Sequence, residues 1–243
     1  MDVSSTSTDY AAEKTNLRIV LLGKSGVGKS AAGNIILGRK AFESHPSFCS
    51  VTSVCEKKTD DFRHLNLDVI DTPGLFGTKN SNEEVVKEIS KCISMAAPGP
   101  HVFLIVLQPT RFTAEDEKTV EIIKETFGKE AARFTMVLFT HGDELNKRNM
   151  KIEEMLEKHQ PLKLFISQCS ILEKFEDKYH VFGNEVEDSV EVSRLLQKIQ
   201  RMVQRNGGSY YTNKIFKKTQ RVKQEEMERL FRAAVAGRTE LMA

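Results

Sequence analysis

The 243-residue sequence lacks the features of membrane-spanning, disulfide-rich and nucleic-acid-binding proteins. Its longest apolar run, Val102–Leu107, is far shorter than the roughly 18 to 20 residues needed to span a bilayer. With 36 basic and 34 acidic residues, its net charge of +2 gives no reason to expect a nucleic-acid partner. The cysteines form no CxxC pair, which predicts reduced thiols rather than a metal site or a disulfide framework. The four are Cys49, Cys55, Cys92 and Cys169.

The ends of the sequence also carry none of the common targeting signals. The first ten residues have neither a basic region nor an apolar region, and Asp2 occupies the position at which myristoylation needs glycine. We therefore expect a cytoplasmic protein. Residues 1–15 are rich in Ser, Thr and Asp without a periodic apolar face, which predicts a disordered leader. With 40% hydrophobic and 29% charged residues, the sequence as a whole has the composition of a globular protein of one or two domains.

Near-continuous apolar runs predict an α/β fold. The runs at 17–22, 102–107 and 134–139 are each followed by a plausible helix, as expected for buried parallel strands with helices on both faces of the sheet. Two shorter, alternating segments at 51–57 and 65–70 predict an antiparallel hairpin, with 58–64 between them.

Helix signals define the rest of the domain. Thr113 and Asp116 form a capping box before a periodic apolar segment that Gly128 ends. A short strand at 179–182 and a helix ending near residue 206 complete a predicted domain over 16–206. A C-terminal extension, 207–243, follows. Its segment 210–235 is a candidate amphipathic helix that either packs on the domain or meets a protein partner or an anionic membrane surface.

A phosphate-binding loop follows the first predicted strand. Residues 23–30 read GKSGVGKS, which matches GxxxxGK[ST] between a strand and a helix. In this pattern glycines let backbone N–H groups surround the phosphates, the lysine contacts the β- and γ-phosphates, and the last hydroxyl binds Mg²⁺. The predicted nucleotide-binding residues here are Gly23, Lys24, Ser25, Gly26, Val27, Gly28, Lys29, Ser30 and the adjoining Ala31.

The segment Asp71-Thr72-Pro73-Gly74 directly follows another predicted strand. Its position predicts that Asp71 holds Mg²⁺ through water and that Gly74 senses the γ-phosphate. A site of this kind also needs a hydroxyl from a loop between the two motifs. Of the hydroxyls available there, Ser50, Thr52, Ser53 and Thr59, we select Thr52 as the third metal ligand.

The segment Thr140-His141-Gly142-Asp143 follows the apolar run at 134–139. Asp143 can accept two hydrogen bonds from one edge of guanine, whereas adenine has no N1–H to donate, so guanine is favoured over adenine. The ring of His141 either stacks on the base or lies at the surface. Thr140 is included in the predicted base site.

Four segments in this order resemble the GIMAP family of immunity-associated GTPases: GKSGVGKS, DTPGLF, the stretch QPTRFTAED at 108–116, and THGDEL. The resemblance covers about residues 17–205. It implies a septin- and Toc-like G domain that binds GTP and GDP with Mg²⁺ and forms a homodimer through its nucleotide face. It also assigns Thr52 to the first switch and Arg111 to the dimer face, where the arginine acts on the partner's nucleotide. Of the family's last guanine-contacting loop, only Asn184 carries over.

The sequence leaves two functions open. Leu75 follows Gly74 where small GTPases have a water-orienting glutamine, so hydrolysis by an isolated monomer should be slow. The first function is a GTPase activated by dimerisation, with Arg111, Lys29, Thr52 and Gly74 as its catalytic residues. The second is a GTP-stabilised scaffold with negligible hydrolysis, which acts through oligomerisation and partner binding. Arg111 has a separate alternative interpretation, as an exposed residue before a helix cap. A P-loop ATPase or nucleotide kinase is disfavoured by the THGDEL segment.

Overall fold

The computed structural model describes the protein over residues 15–44, 54–74, 91–92, 94–109, 112–169, 174–183 and 189–212. Within these residues a six-stranded sheet has the order β2-β3-β1-β4-β5-β6. Only β2 runs antiparallel to its neighbour, and all other neighbouring strands are parallel. The strands are β1 (Thr15–Leu22), β2 (Glu56–Phe62), β3 (Leu65–Asp71), β4 (Val102–Leu107), β5 (Thr135–Phe139) and β6 (Tyr179–Val181).

Helices connect the strands and follow the last of them. They are α1 (Lys29–Leu37), α2 (Ala114–Phe127), α3 (Gly142–Lys147), α4 (Ile152–Lys158), α5 (Gln160–Gln168) and α6 (Ser189–Arg205), with 3₁₀ turns at Lys129–Phe134 and Phe175–Asp177. Among the described residues, no helix is both long and apolar enough to cross a membrane.

The sheet is buried on both faces. Along β4, Phe103, Ile105 and Leu107 pack into one apolar cluster with residues of α2, α4 and α5. The alternate residues, Val102, Leu104 and Val106, pack into a second cluster with α1 and α6. Because side chains alternate across a strand, a continuous apolar run is what a strand covered on both faces requires. The predicted α/β architecture, a mostly parallel sheet with helices on both faces, is confirmed.

The hairpin is present, but the prediction of its first strand is wrong. β2 spans Glu56–Phe62, most of which was assigned to the connection, and a two-residue turn at Arg63-His64 leads into β3. The strand reads EKKTDDF, with exposed residues alternating with half-buried ones. An edge strand forms hydrogen bonds to one neighbour and needs little apolar surface. The polar sequence of β2 therefore gave no hydrophobic pattern from which a strand could be predicted.

The start and end of α2 agree with the capping prediction. The backbone N–H and Oγ1 of Thr113 both donate to Oδ2 of Asp116, at 2.9 Å each. Gly128 follows the helix with φ 74° and ψ 177°, an extended conformation with positive φ that favours glycine but differs from the αL conformation of a typical helix cap.

The chain remains packed on the domain beyond the predicted end at residue 206. Tyr211 is buried against the rings of Phe103, Phe127 and Phe134. Its hydroxyl donates to the carbonyl oxygen of Phe127 at 2.6 Å. The contact extends the domain to at least Tyr211. The predicted leader, except Thr15 at the start of β1, and nearly all of the candidate helix at 210–235 lie outside the described residues.

The prediction of unpaired thiols is wrong for one pair of cysteines. Cys55 and Cys92 form a disulfide in the structure, with their Cα atoms 5.4 Å apart. The two are 37 residues apart in sequence, so a search for closely spaced cysteines could not detect the pair. Cys169 is buried and takes part in no disulfide among the described residues, and Cys49 lies outside the described residues.

Candidate nucleotide site

The loop at residues 23–28 joins the end of β1, in the middle of the sheet, to the start of α1. Gly26 and Gly28 have φ values of 77° and 90°, in the region that favours glycine. A Cβ atom on Gly23 would lie 2.6 Å from the carbonyl oxygen of Val106 in β4. The glycines of the motif are therefore required by backbone conformation and by close packing against the neighbouring strand.

Lys29, the first residue of α1, is buried and has an exposed fraction of only 6%. Its Nζ donates to the carbonyl oxygen of Lys24 at 2.9 Å. Burial lowers the pKa of Lys29 to about 8, while the charge of Asp71 acts in the opposite direction. An ammonium group buried mainly among neutral groups is poorly stabilised, and a bound phosphate would supply the missing negative charge.

Ser30 and Asp71 are brought together by the parallel strands. Ser30 Oγ donates to Oδ2 of Asp71 at 2.6 Å, and Asp71 is only 1% exposed. A hydroxyl and a carboxylate side by side fit Mg²⁺, which binds through few protein oxygens and keeps water and phosphate oxygens as its other ligands. The described residues contain no cluster of three or more His, Cys, Asp or Glu side chains suited to a metal.

The third predicted metal ligand, Thr52, lies outside the described residues. Of the alternatives, Thr59 is within β2, where its hydroxyl donates to Asp68 at 2.7 Å. That bond ties the edge strand to β3. Ser50 and Ser53 also lie outside the described residues.

Gly74 lies against the phosphate-binding loop. A Cβ atom on Gly74 would be 2.5 Å from Cα of Ser25, so only glycine fits at this distance. Thr72 holds the segment in place by donating to the carbonyl oxygen of Leu21 at 2.7 Å. The structure therefore brings the predicted γ-phosphate sensor into contact with the loop that would hold the phosphates.

The base-reading segment follows β5 and contacts the same loop from the other side. Thr140 Oγ1 donates to the carbonyl oxygen of Val27 at 2.7 Å. His141 has φ 57°, and its Nδ1 lies 3.0 Å from Thr140 Oγ1. Gly142 N–H donates to the carbonyl oxygen of Phe182 at 2.8 Å, and a Cβ there would meet Val181 at 2.6 Å.

Asp143 has one buried carboxylate oxygen that is not used by the protein. Oδ2 accepts from Lys147 at 3.2 Å, whereas the buried Oδ1 has no hydrogen-bond partner within the described part of the chain. Asp143 lines a cavity of about 530 Å³ with Ile35, Gly142, Phe182 and Gly183. A buried acceptor without a donor is costly, and the N–H groups on the edge of guanine would satisfy it. Asn184 lies outside the described residues.

Sequence reasoning missed two contacts that join the loop to the segment after β4. Gln108 Nε2 donates to the carbonyl oxygen of Gly26 at 3.1 Å. Lys24 Nζ forms an ion pair with Asp116 at 2.7 Å. The signal was available, because Gln108 directly follows a strand parallel to β1 and the carboxyl ends of neighbouring parallel strands meet at one edge. Arg111, between these contacts in sequence, lies outside the described residues.

The order of strands, the loop at the end of β1 and the carboxylates at the ends of β3 and β5 define a P-loop domain of the G-domain class. Solved structures support this class. Toc33 from Arabidopsis thaliana in complex with Mg²⁺ and GMPPNP superposes with a TM-score of 0.61 at 22% identity, covering 79% of this chain and 85% of that one. A structure described as showing that dimerization is important for the GTPase activity of atToc33 and psToc159 gives a TM-score of 0.59 at 21% identity, with coverage of 77% and 83%.

The chain belongs to the AIG1 family, whose model matches residues 17–230. It is 34% identical over 210 residues to GTPase IMAP family member 8 from Homo sapiens, covering 85% of this chain and 30% of the relative. It is 34% identical over 229 residues to immune-associated nucleotide-binding protein 9 from Arabidopsis thaliana, covering 90% and 65%. This chain thus spans less than two thirds of the length of either relative. The family resemblance expected from the four motifs is confirmed.

Proposed function

We propose that this protein is a GTPase that binds GTP and GDP with Mg²⁺ and is activated by homodimerisation when GTP is bound. The observation that carries the nucleotide assignment is the buried Lys29 ammonium at the start of α1, which donates to a loop carbonyl oxygen. The β- and γ-phosphates would replace that carbonyl as its partner and provide the opposite charge.

Guanine is the proposed base because of Asp143. Its buried Oδ1 atom needs a donor, and guanine offers two donors on one edge whereas adenine has no N1–H. Thr140 donates a hydrogen bond to the carbonyl oxygen of Val27 and so ties the base-reading segment to the phosphate-binding loop. The base and the phosphates would therefore bind to two segments that are directly connected.

The remaining residues have separate parts in hydrolysis. Lys29 would stabilise charge on the transferring phosphate, and the backbone N–H of Gly74 would contact the γ-phosphate. Ser30, Asp71 and Thr52 would hold Mg²⁺, which when bound neutralises charge on the phosphate oxygens. Leu75 cannot orient water by hydrogen bonding, so the monomer lacks one catalytic element.

Arg111 would supply the missing element across a dimer. The segment that contains it begins at Gln108 and leads to Thr113, and both ends lie at the phosphate-binding loop. A second copy facing this edge would bring its arginine to the phosphates, where such a charge accelerates hydrolysis. The importance of dimerization for GTPase activity in atToc33 and psToc159 supports this arrangement.

Calorimetry with purified protein tests the binding site. Lys29→Ala should weaken GTP binding by at least about tenfold, because a buried charge-assisted contact to phosphate is lost. Ser30→Asn should weaken GTP with Mg²⁺ more than GDP without it. Lys40→Ala, at an exposed lysine just after α1, is the matched control and should bind normally. Full GTP affinity in a folded Lys29→Ala variant would refute the assignment of the site.

Sedimentation tests assembly. We expect GMPPNP to produce dimers and GDP to leave monomers, because only the triphosphate state offers the complete face. Monomers in both states at high-micromolar protein would refute the proposed dimer. Dimers without hydrolysis would favour the second function, a GTP-stabilised scaffold.

A further inference from the structure

One ion pair connects the phosphate-binding loop to the first turn of α2. Lys24 Nζ lies 2.7 Å from Asp116 Oδ2, and the side chains are 15% and 2% exposed. Lys24 Nζ also donates to Thr113 Oγ1 at 3.2 Å. The same Asp116 oxygen accepts from Thr113 N–H and Oγ1, so one carboxylate both caps α2 and holds the loop lysine.

This burial separates the pair from ordinary surface ion pairs. An exposed pair contributes little because solvent screens it, whereas removal of one partner from a buried pair leaves an uncompensated charge. The capping role needs only an acceptor atom. The charge of Asp116 stabilises the helix N-terminus only modestly, so its main partner is the Lys24 ammonium.

Lys24 also contacts the residue that would bind phosphate. Its carbonyl oxygen accepts from Lys29 Nζ at 2.9 Å. An ammonium has three donors, so phosphates bound to Lys29 would share it with this carbonyl oxygen, and their charge would act next to the residue whose side chain holds Asp116. Lys29, Lys24 and Asp116 thus form a continuous contact path from the phosphates to α2.

The path ends on the segment that contains Arg111. On one side of that residue, Gln108 bonds to Gly26 in the loop. On the other side, Thr113 and Asp116 bond to Lys24. A shift of the loop would therefore act on Gln108 and Thr113, the two residues that bond to it on either side of a four-residue stretch.

We propose that Asp116, paired with Lys24, is a positioning residue that places the Arg111 segment according to whether the phosphate site is filled. The proposal rests on the proposed function, in which Arg111 acts across a dimer. It assigns to Asp116 no contact with the nucleotide. The pair instead sets the position of the dimer-facing segment relative to the phosphates.

The test compares wild type, Asp116→Asn and a matched control, Glu117→Gln, which neutralises the next, exposed carboxylate. Asparagine keeps an acceptor for Thr113 N–H, so α2 should stay capped and the variant should fold, with an unfolding temperature lowered by the loss of the ion pair. We expect Asp116→Asn to weaken the GMPPNP dimer, and to slow turnover at saturating protein, by about tenfold or more. The affinity of the dilute Asp116→Asn monomer for GTP should stay within about twofold of the wild-type affinity. Glu117→Gln should match wild type throughout.

A second pair of variants tests the coupling itself. Lys24→Gln combined with Asp116→Asn should be no worse at dimerisation than the more severe single variant, because both remove the same contact. Independent, additive losses would overturn the proposal. So would wild-type dimerisation and turnover in Asp116→Asn, or a loss that arises wholly from weaker GTP binding.

Failure of the proposed function would look different. In that case the wild type itself would show no dependence of activity on protein concentration. Hydrogen exchange over residues 108–116 would still test the pair, since Asp116→Asn must raise exchange there in the monomer while Glu117→Gln must not. Unchanged exchange in Asp116→Asn would overturn the inference alone.

Discussion

Asp143 is the residue that we propose selects the nucleotide base. One of its carboxylate oxygens is buried and has no donor among the described residues, and the side chain lines a cavity that opens beside the ends of β5 and β6. Hydrogen-bond complementarity at a buried position discriminates strongly, because an unmatched donor or acceptor costs about 1–3 kcal/mol. A single amide substitution should therefore alter base preference and not simply abolish binding.

Asp143→Asn should reduce GTP affinity by about tenfold or more, because the new amide N–H₂ faces a donor of guanine. Xanthine carries a carbonyl oxygen in place of the guanine amino group, so the same variant should gain affinity for XTP. Competition of GTP, XTP and ATP against a fluorescent nucleotide measures both effects. Glu144→Gln, at the neighbouring acid, should keep wild-type preference. An Asp143→Asn variant without a gain for XTP would contradict the assigned contact.

His101 lies at the opposite end of the sheet, just before β4, and affects stability. Its Nδ1 accepts from the backbone N–H of Arg18 at 2.9 Å. Burial, with a further contribution from the Arg18 charge, lowers the pKa of His101 to about 4. The folded protein therefore keeps this ring neutral at pH values where the unfolded chain protonates it.

The free energy of unfolding should fall as the pH drops from about 6.5 towards 4. In that range the unfolded state binds a proton at this position and the folded state does not, so the loss from His101 can reach about 3 kcal/mol. His101→Asn, which keeps an acceptor for the Arg18 N–H, should make the free energy of unfolding depend less on pH in this range. Urea unfolding at several pH values checks this, with the exposed His64→Asn as control. Equal slopes in wild type and His101→Asn would contradict the prediction.

At the scale of elements, the sequence predicted those whose burial imposes a pattern. β1 and β4 are covered on both faces, so their continuous apolar runs identified them, and α2 was identified by its cap at Thr113. β2 was placed wrongly because an edge strand of charged residues has no such pattern. The pairing of Lys24 with Asp116 was not predicted. The two residues are 92 positions apart in sequence, and their contact depends on how far their side chains extend in the folded chain.

The junction between α3 and β6 depends on the absence of a side chain at Gly142. Gly142→Ala would place a Cβ atom 2.6 Å from Val181 and 2.9 Å from the carbonyl oxygen of Phe182. We expect a loss of about 1–3 kcal/mol in stability and weaker GTP binding, because Asp143 would move with the strained backbone. Gly183→Ala, with open space around the added atom, should change stability by less than about 0.5 kcal/mol. Equal behaviour of the two variants in thermal unfolding would contradict this account.

At the scale of the whole molecule, the candidate nucleotide-binding groups lie together at one edge of the sheet. β1, β3, β4 and β5 are parallel, so the residues that follow them converge on the phosphate-binding loop. The loop contacts Gly74, Gln108 and Thr140, one from each of the three neighbouring strand ends. In the proposed function the edge that would bind the nucleotide also carries Gln108 and Thr113, on either side of Arg111, and this is the physical basis that we propose for coupling GTP binding to assembly.

The central claim, a GTPase completed by its own dimer, is tested most directly by GTP turnover per protomer as a function of protein concentration. From sub-micromolar to high-micromolar protein, wild-type turnover should rise and then saturate. Arg111→Ala should bind GTP normally yet hydrolyse it slowly at every concentration, by a factor that can approach the roughly 10³ to 10⁵ of arginine fingers. Arg148→Ala, at an exposed arginine after α3, should follow the wild-type curve. Wild-type turnover that stays flat and negligible while GMPPNP still drives dimerisation would contradict the account and identify the protein as a scaffold.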